Sequence, residues 1–446
     1  MSKISSFIVI CVLVFTSTHA ARCTTHDSNL TGKMNLNPID NSKPILLSRI
    51  QYGELYSVGT PMVDQIHVLH LYGSGEKRAY NWGFATGTLL KEEINQTLNS
   101  AWSYFEMEII AAINGTATKL KIPPQIVQLI AELGLEAVLD LQNDESKQFI
   151  DPEIYDEMQG MADASSVSFT MIRRIHFIGE ITRGSCSLYG AWGKATLGGK
   201  TLQLRALDWD TGAMLQNHPL VTVYHIEDGS GYSFANVGWA GWIGLLTGMS
   251  SNKMGMSEIG VSYPDFPPYF GTETFIGIPF VFLERWIMQH TQTVADAIEY
   301  VTNANRTCDL MFGVADAKSS TAVVMQYSGS IVRFFNDTDL EPLADWHPRL
   351  ENVVYEGMDW NCPGYQKALY TQLALNHGSL TPELSILNVT SQVGTGDLHV
   401  AVYDLSGGMM YVANARGDGM DGPKDAYDRQ FVSFNISALF VKLYGE

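Results

Sequence analysis

The chain has 446 residues, 46% of them hydrophobic and 17% charged, with a formal net charge of −19. That balance excludes a disordered chain. The acidic excess leaves no basic patch to neutralise phosphates, which excludes nucleic acid as a partner, and the length suits two or three domains or one large fold.

Residues 1–20 read as a secretory signal: Lys3 supplies the positive start, 7–15 (FIVICVLVF) the apolar core and Ala20 a cleavage point. The apolar run is too short for a membrane span, and no later stretch reaches the roughly 18 residues that one needs, so no integral membrane segment is expected. The mature chain is expected to be secreted or lysosomal. Sequons at Asn29, Asn95, Asn114, Asn305, Asn336, Asn388 and Asn435 suit a glycoprotein of that route.

Alternating apolar residues in HVLHLYG, followed by Gly73-Ser74-Gly75, predict a β-hairpin over 66–84. The following stretch reads as helical. Leu90, Ile94, Leu98, Trp102, Phe105, Ile109 and Ile113 recur at spacings that give one apolar stripe. Pro123-Pro124 opens a second helix, Asp151-Pro152 a third through an N-cap and N1 pair, and a fourth begins near Ser168.

The character changes at 183–210, RGSCSLYGAWGKATLGGKTLQLRALDWD. Cys186 follows a Gly-Ser pair where the backbone can turn sharply, and 201–207 is a strand-like run with Arg205 inside it and Asp208 just beyond. Paired as a hairpin, the two segments gather a thiol, a guanidinium and a carboxylate, a set suited to lowering a thiol pKa. Further on, β-like runs cut by glycines fill 202–223 and 232–261, and hairpins are predicted at 320–335 and 398–415, the second turning at 404–408. Helices return at 280–290 and 294–303. A helical segment followed by many strands and few helices predicts the α+β class, with a mostly helical chain at 21–185 and a β-rich catalytic chain at 186–446.

On these residues the chain resembles the cysteine N-terminal-nucleophile (Ntn) hydrolases. Acid ceramidase and the isopenicillin N acyltransferases are the nearest group, with choloylglycine hydrolases more distant. Cys186-Ser187 looks like the family's nucleophile, and Arg205-Ala206-Leu207-Asp208-Trp209 like its R-N-x-D-[WF] segment. GLLTGMSSNKMGMSEIGVSYP is similar to its glycine-rich strand pair. The resemblance implies an αββα sandwich, two stacked antiparallel sheets covered by helices. It implies a precursor that cuts itself between Ser185 and Cys186, leaving two chains that stay associated. The cut exposes an α-amine, whose reference pKa of about 7.7–8.0 lets it take the thiol proton near neutrality.

The resemblance also implies roles. Asp208 orients the amine, Arg205 favours the thiolate or positions the substrate, and a backbone N–H with an Asn side chain stabilises the oxyanion. Two positions depart from the pattern: residue 206 is Ala where the family often has Asn, and Ser262 stands where choloylglycine hydrolases carry an oxyanion-hole Asn. The Asn is then sought at Asn352 or Asn361, with Asn352 preferred because it opens an apolar, strand-like run. In a regular strand, positions 205 and 208 face opposite sides, so both are expected to reach Cys186 only if the strand ends or bulges near Leu207. The implied reaction is hydrolysis or transfer of linear N-acyl amides, small lipid-like or aromatic molecules, through an acyl-thioester on Cys186 without a cofactor. Trp239 and Trp242 are candidates for the acyl pocket. With Cys186 as nucleophile, Cys308 or Cys362 is expected in a bridge. The resemblance to acid ceramidase, whose two chains are joined in this way, points to Cys23 as the partner of Cys362.

Two other readings compete. A papain-like cysteine protease would share Gly184-Ser185-Cys186, but position 187 is Ser where Trp or Tyr is expected. Its best His, His399, lies 213 residues on, against about 130–150 in that family. The second is a non-catalytic secreted glycoprotein in which Cys186 is structural. No His-Glu-X-X-His or Cys-X-X-Cys spacing supports a metal site, and no Gly-X-Ser-X-Gly elbow supports a serine hydrolase.

Overall fold

The computed structural model describes residues 32–116, 119–120, 122–182, 184–260, 272–340, 344–358 and 363–441. The signal-like segment, Cys23, Asn29, Ser262, Asn361 and Cys362 lie outside the described residues.

Three strands come first: β1 (Ile45–Ile50), β2 (Gly53–Val58) and β3 (Ile66–Leu71). The hairpin expected over 66–84 is corrected here. β3 pairs back onto β2, and Arg78–Leu89 forms helix α1. Gly73-Ser74-Gly75 does end the strand, but the residues beyond it bury Ala79, Trp82, Ala85 and Thr86 at helical spacing. Helix α2 (Lys91–Ile113) buries the predicted stripe from Ile94 to Ile109 and leaves Ile113 exposed, and α3 (Pro124–Leu133) and α4 (Leu135–Ser146) follow. Helix α5 (Pro152–Ser165) starts where the Asp151 carboxylate accepts from the Glu153 N–H, and α6 (Phe169–Ile181) where the Ser168 hydroxyl accepts from the Met171 N–H. Helices α1 and α5 cross in backbone contact. A Cβ on Gly83 would run into the Glu157 carbonyl, and one on Gly160 into that of Tyr80, so only glycine permits the approach.

The rest of the chain supplies β4 (Ser185–Gly193), β5 (Gly199–Asp208), β6 (Pro219–Tyr224), β7 (Phe234–Trp239), β8 (Thr247–Ser250) and β9 (Met254–Gly260). Helices α7 (Phe280–His290) and α8 (Val294–Asn303) come next, then β10 (Leu310–Asp316), β11 (Thr321–Tyr327), β12 (Val332–Phe335) and β13 (Val353–Glu356). Helix α9 (Pro363–Leu375), β14 (His399–Asp404), β15 (Met409–Asn414) and β16 (Val432–Asn435) complete the main elements.

The strands form a ten-stranded sheet, β1-β2-β3-β6-β7-β8-β9-β10-β11-β12, and a six-stranded sheet, β13-β4-β5-β14-β15-β16. β3 and β6 are parallel, so the larger sheet is mixed and not wholly antiparallel as expected. The reason is the connection: between β3 and β6 the chain makes a long helical excursion, which a parallel pair requires. Strands β4 and β5 pack face to face on β9, β10 and β11. Helices α7 and α8 cover the larger sheet, and α9 covers the smaller one at β13. This is an α+β fold in four layers, αββα. Central strands such as β9 and β10 are buried along their whole length.

Residues before Cys186 do not form a separate helical unit. β3 hydrogen-bonds to β6 within one sheet, and ion pairs cross the same boundary, among them Arg78–Asp228 at 3.0 Å and Glu157–Arg285 at 2.6 Å. No helix among the described residues is long and apolar enough to cross a membrane.

Candidate active site

The β4–β5 hairpin sets the geometry. Ser185 is opposite Asp208, Cys186 opposite Leu207, and Leu188 opposite Arg205. Side chains opposite one another share a face, and alternate residues along a strand share it too. Cys186 and Arg205 therefore point the same way, into the space between the sheets, and Asp208 points to the other face. β5 ends at Asp208, one residue past Leu207, so the strand ends where the sequence reading allowed and no bulge is needed: Arg205 lies on the thiol's side, while Asp208 lies beside the backbone of residue 185.

On the thiol side, Arg205 Nη2 donates to Glu258 Oε2 at 2.9 Å, and Cys186 Sγ lies 3.8 Å from the same oxygen. Cys186, Arg205 and Glu258 are all buried. On the other side, Asp208 Oδ1 accepts from the N–H groups of Gly396 (2.8 Å) and Asp397 (3.1 Å), and Oδ2 from the Thr395 hydroxyl (2.7 Å). Ser187 Oγ is 2.8 Å from that hydroxyl.

Burial pushes the Cys186 thiol well up. Arg205 pulls it down, Glu258 and Asp208 push it up, and a hydrogen bond from the Gly260 backbone lowers it. In the uncut chain the thiol is held neutral, which corrects the expectation of a lowered pKa: desolvation and two carboxyls outweigh one guanidinium. Burial likewise raises Asp208 well above the usual carboxylate range, with Asp397 adding to it and the three donors opposing. Asp397 is pushed up to about 6, chiefly by burial. Behind Glu258, the carboxyl of Glu284 is raised well above its ordinary value by burial and by Glu258, against the pull of Arg205.

A cavity opens beside Gly184, Leu207 and Glu258. Trp209, Trp239, Trp242, Leu246 and Phe280 line it, with Phe105 of α2 and Ile178 of α6. The Trp239 and Trp242 rings lie 5.1 Å apart, and Trp242 stacks on His176 at 4.6 Å. Burial lowers the His176 pKa to about 4. Its Nδ1 is 2.7 Å from the Ile172 carbonyl oxygen and its Nε2 accepts from the Ile243 N–H, so a neutral ring fixes the wall. A Cβ on Gly260 would sit 2.5 Å from the Gly184 nitrogen, and one on Gly184 would sit 3.3 Å from the Trp209 ring. Two glycines thus let the segment before Cys186 pass between β9 and an indole. No group of three or more His, Cys, Asp or Glu among the described residues is placed to hold a metal ion.

A scan against protein-family models found no match. Among curated proteins, dcd1B of Dictyostelium discoideum is 33% identical over 415 residues, covering 90% of this chain and 80% of the relative. Protein dcd1A of the same organism is 32% identical over 458 residues, covering 98% of this chain and 99% of the relative. The chain belongs to the dcd1 family. Among solved structures, the Caenorhabditis elegans orthologue of N-acylethanolamine-hydrolyzing acid amidase superposes with a TM-score of 0.39 at 18% identity, over 50% of this chain and 93% of that one. Penicillin V acylase of Agrobacterium tumefaciens gives a TM-score of 0.35 at 12% identity, over 52% of this chain and 83% of that one.

Other expected residues of this dcd1-family chain lie elsewhere. Asn352 is removed from the site. It precedes β13, whose Val353 is opposite Ala191, so it stands at the far end of β4, roughly 20 Å from Cys186 at about 3.3 Å per residue. There it has φ 57°, its Oδ1 accepts from the Lys194 N–H, and its own N–H donates to Asp337. It shapes a turn. Cys308 is buried and lines the cavity. His399, the best base for a papain-like reading, sits two strands from Cys186 with Nε2 2.8 Å from Thr247 Oγ1. Asn114, Asn305 and Asn435 are exposed, and Asn95, Asn336 and Asn388 are half-buried. Glu258 escaped the sequence reading. Its only signal was a single acidic residue inside the buried run MGMSEIG, where an unpaired charge is costly.

Proposed function

We propose that this chain is an amidohydrolase or acyltransferase of the secretory pathway, secreted or lysosomal, that cuts itself before Cys186 and then acts on linear N-acyl amides through an acyl-thioester. The observation that carries this reading is the division of labour across β5: a guanidinium–carboxylate pair on the Cys186 thiol side, and a desolvated, donor-ringed Asp208 on the backbone side.

In the first step the thiol attacks the Ser185 carbonyl carbon. A C–S bond forms, the C–N bond breaks, and the thiol proton goes to the departing nitrogen. Water then hydrolyses the thioester. The new amine takes the proton that burial keeps on Asp208, giving an ammonium–carboxylate pair where the uncut chain had a neutral acid. In turnover the free amine removes the thiol proton, the sulfur attacks the substrate amide, the amine of the substrate leaves with that proton, and water releases the acid. The Gly260 N–H, which already points at the sulfur, is placed to bind developing negative charge. The aromatic cavity beside Gly184 suits an apolar acyl group. The cut chains are held together by β3–β6 pairing and by the Glu157–Arg285 and Arg78–Asp228 pairs.

The test is the N-terminal sequence and mass of the mature chains, followed by mass spectrometry of an acyl adduct trapped with a panel of N-acyl amides. A heavy fragment beginning at Cys186 and an adduct on that residue are expected; an adduct elsewhere would overturn the reading. Within it, Trp242→Ala is expected to raise KM for a long acyl chain about tenfold while changing KM for an acetyl amide little, measured by steady-state kinetics on both.

A further inference from the structure

The Asp208 carboxylate is clasped by a second one. Residues 395–397 wrap it with three donors, the Thr395 hydroxyl and the Gly396 and Asp397 N–H groups. Asp397 answers the bond: its own Oδ1 accepts from the N–H of Trp209, the residue after Asp208, at 2.7 Å. Each aspartate thus takes a backbone N–H at or beside the other. The loop can wrap this tightly because Gly396 has φ 93°, and a Cβ there would run into the Val400 side chain and Ala206. An ionised carboxylate offers about four acceptor sites. Three on Asp208 are filled by the clasp, so one remains, on Oδ2, and the loop fixes its direction.

We propose that Asp397 is a positioning residue that acts through Asp208, aiming its remaining acceptor site at the Cys186 amine and setting, by its own charge, the pH at which that amine becomes a base. This rests on the self-cleaving reading above. Asp397 faces Asp208, Asp425 and Lys424, and its carboxylate is also held by the Leu398 N–H. Two neighbouring carboxylates hold an ammonium proton more firmly than one does. Removing the charge of Asp397 therefore lets the amine deprotonate at lower pH.

The experiment compares Asp397→Asn and Asp397→Ala in the full chain. It reads the rate of cleavage before Cys186 on gels, and then kcat and KM for N-decanoyl-7-amino-4-methylcoumarin from pH 4 to 8. Asn keeps an acceptor for Trp209 and loses the charge. It is expected to leave KM within about twofold and to move the rising limb of kcat/KM to lower pH by about half a unit. Ala also loses the acceptor, and is expected to lower kcat about 100-fold through misplacement of Asp208. Superimposable pH profiles for wild type and Asn would overturn the proposal while leaving the amidase reading standing. A wild-type chain that is cut but hydrolyses no amide overturns the amidase reading instead, and the cleavage rates then decide on Asp397: slowing in Ala and not in Asn supports it, and equal rates in all three overturn it. A wild-type chain never cut before Cys186 overturns both.

Discussion

Cys186→Ala is expected to run as a single uncut polypeptide on a reducing gel and to lose amide hydrolysis by at least about 10⁴-fold. The residue is fully buried, and removing one sulfur leaves a methyl-sized void that costs about 1 kcal/mol, so the loss would not be a loss of fold. This uncut chain also isolates Asp208, which has no ammonium to face. Its folded-state carboxyl keeps its proton above the usual aspartate range of about 3.9. The folded chain therefore binds more protons than the unfolded one above that pH. The contribution of Asp208 to stability is fully present below about pH 4 and falls as the pH rises, with Asp397 contributing the same sign as it titrates near 6. Thermal melts of Cys186→Ala from pH 4 to 7 should show that slope, and adding Asp208→Asn, a mimic of the protonated acid, should flatten it in part. Cleavage that persists in Cys186→Ala would assign the cut to another protease.

How much of this was legible in the sequence depends on how local the determining contact is. Cys186, Arg205 and Asp208 sit on two strands joined by a short turn, so their grouping follows from one hairpin, and the observed register brings them together. The helix starts at Asp151 and Ser168 were legible for the same reason: each cap is a bond within three residues. Glu258 was not, because it meets Arg205 only when two sheets stack. Asn352 was read correctly as opening a strand, but which end of β4 that strand meets is set by a register across some 160 positions, which no local pattern carries. The thiol pKa went astray because counting charges along the chain ignores desolvation, and burial is the largest influence on Cys186. The segment 75–84 was misread because glycine punctuation marks the end of a strand equally well before a second strand or before a helix.

Arg205→Met should be the most damaging substitution for both stability and activity. Arg205 is fully buried, and its Nη2 meets Glu258 Oε2 at 2.9 Å. Removing one partner of a buried pair leaves an uncompensated charge and costs ~3–5 kcal/mol. A carboxylate stranded in this way is relieved by taking a proton, so the loss should be larger at pH 7 than at pH 4. The double variant Arg205→Met/Glu258→Met replaces the pair by apolar side chains of similar length and is expected to recover most of that stability, since such replacements are often neutral or stabilising. Activity should not return: without the guanidinium the thiol loses the charge of Arg205 that favours its ionised form, and both variants should lose at least about 10³-fold in kcat. Chemical denaturation at the two pH values measures the first effect, and single-turnover hydrolysis by folded material measures the second. If Arg205→Met were destabilised as stated yet hydrolysed amides within tenfold of wild type, the pair would be a packing device and the thiol would need another electrostatic partner.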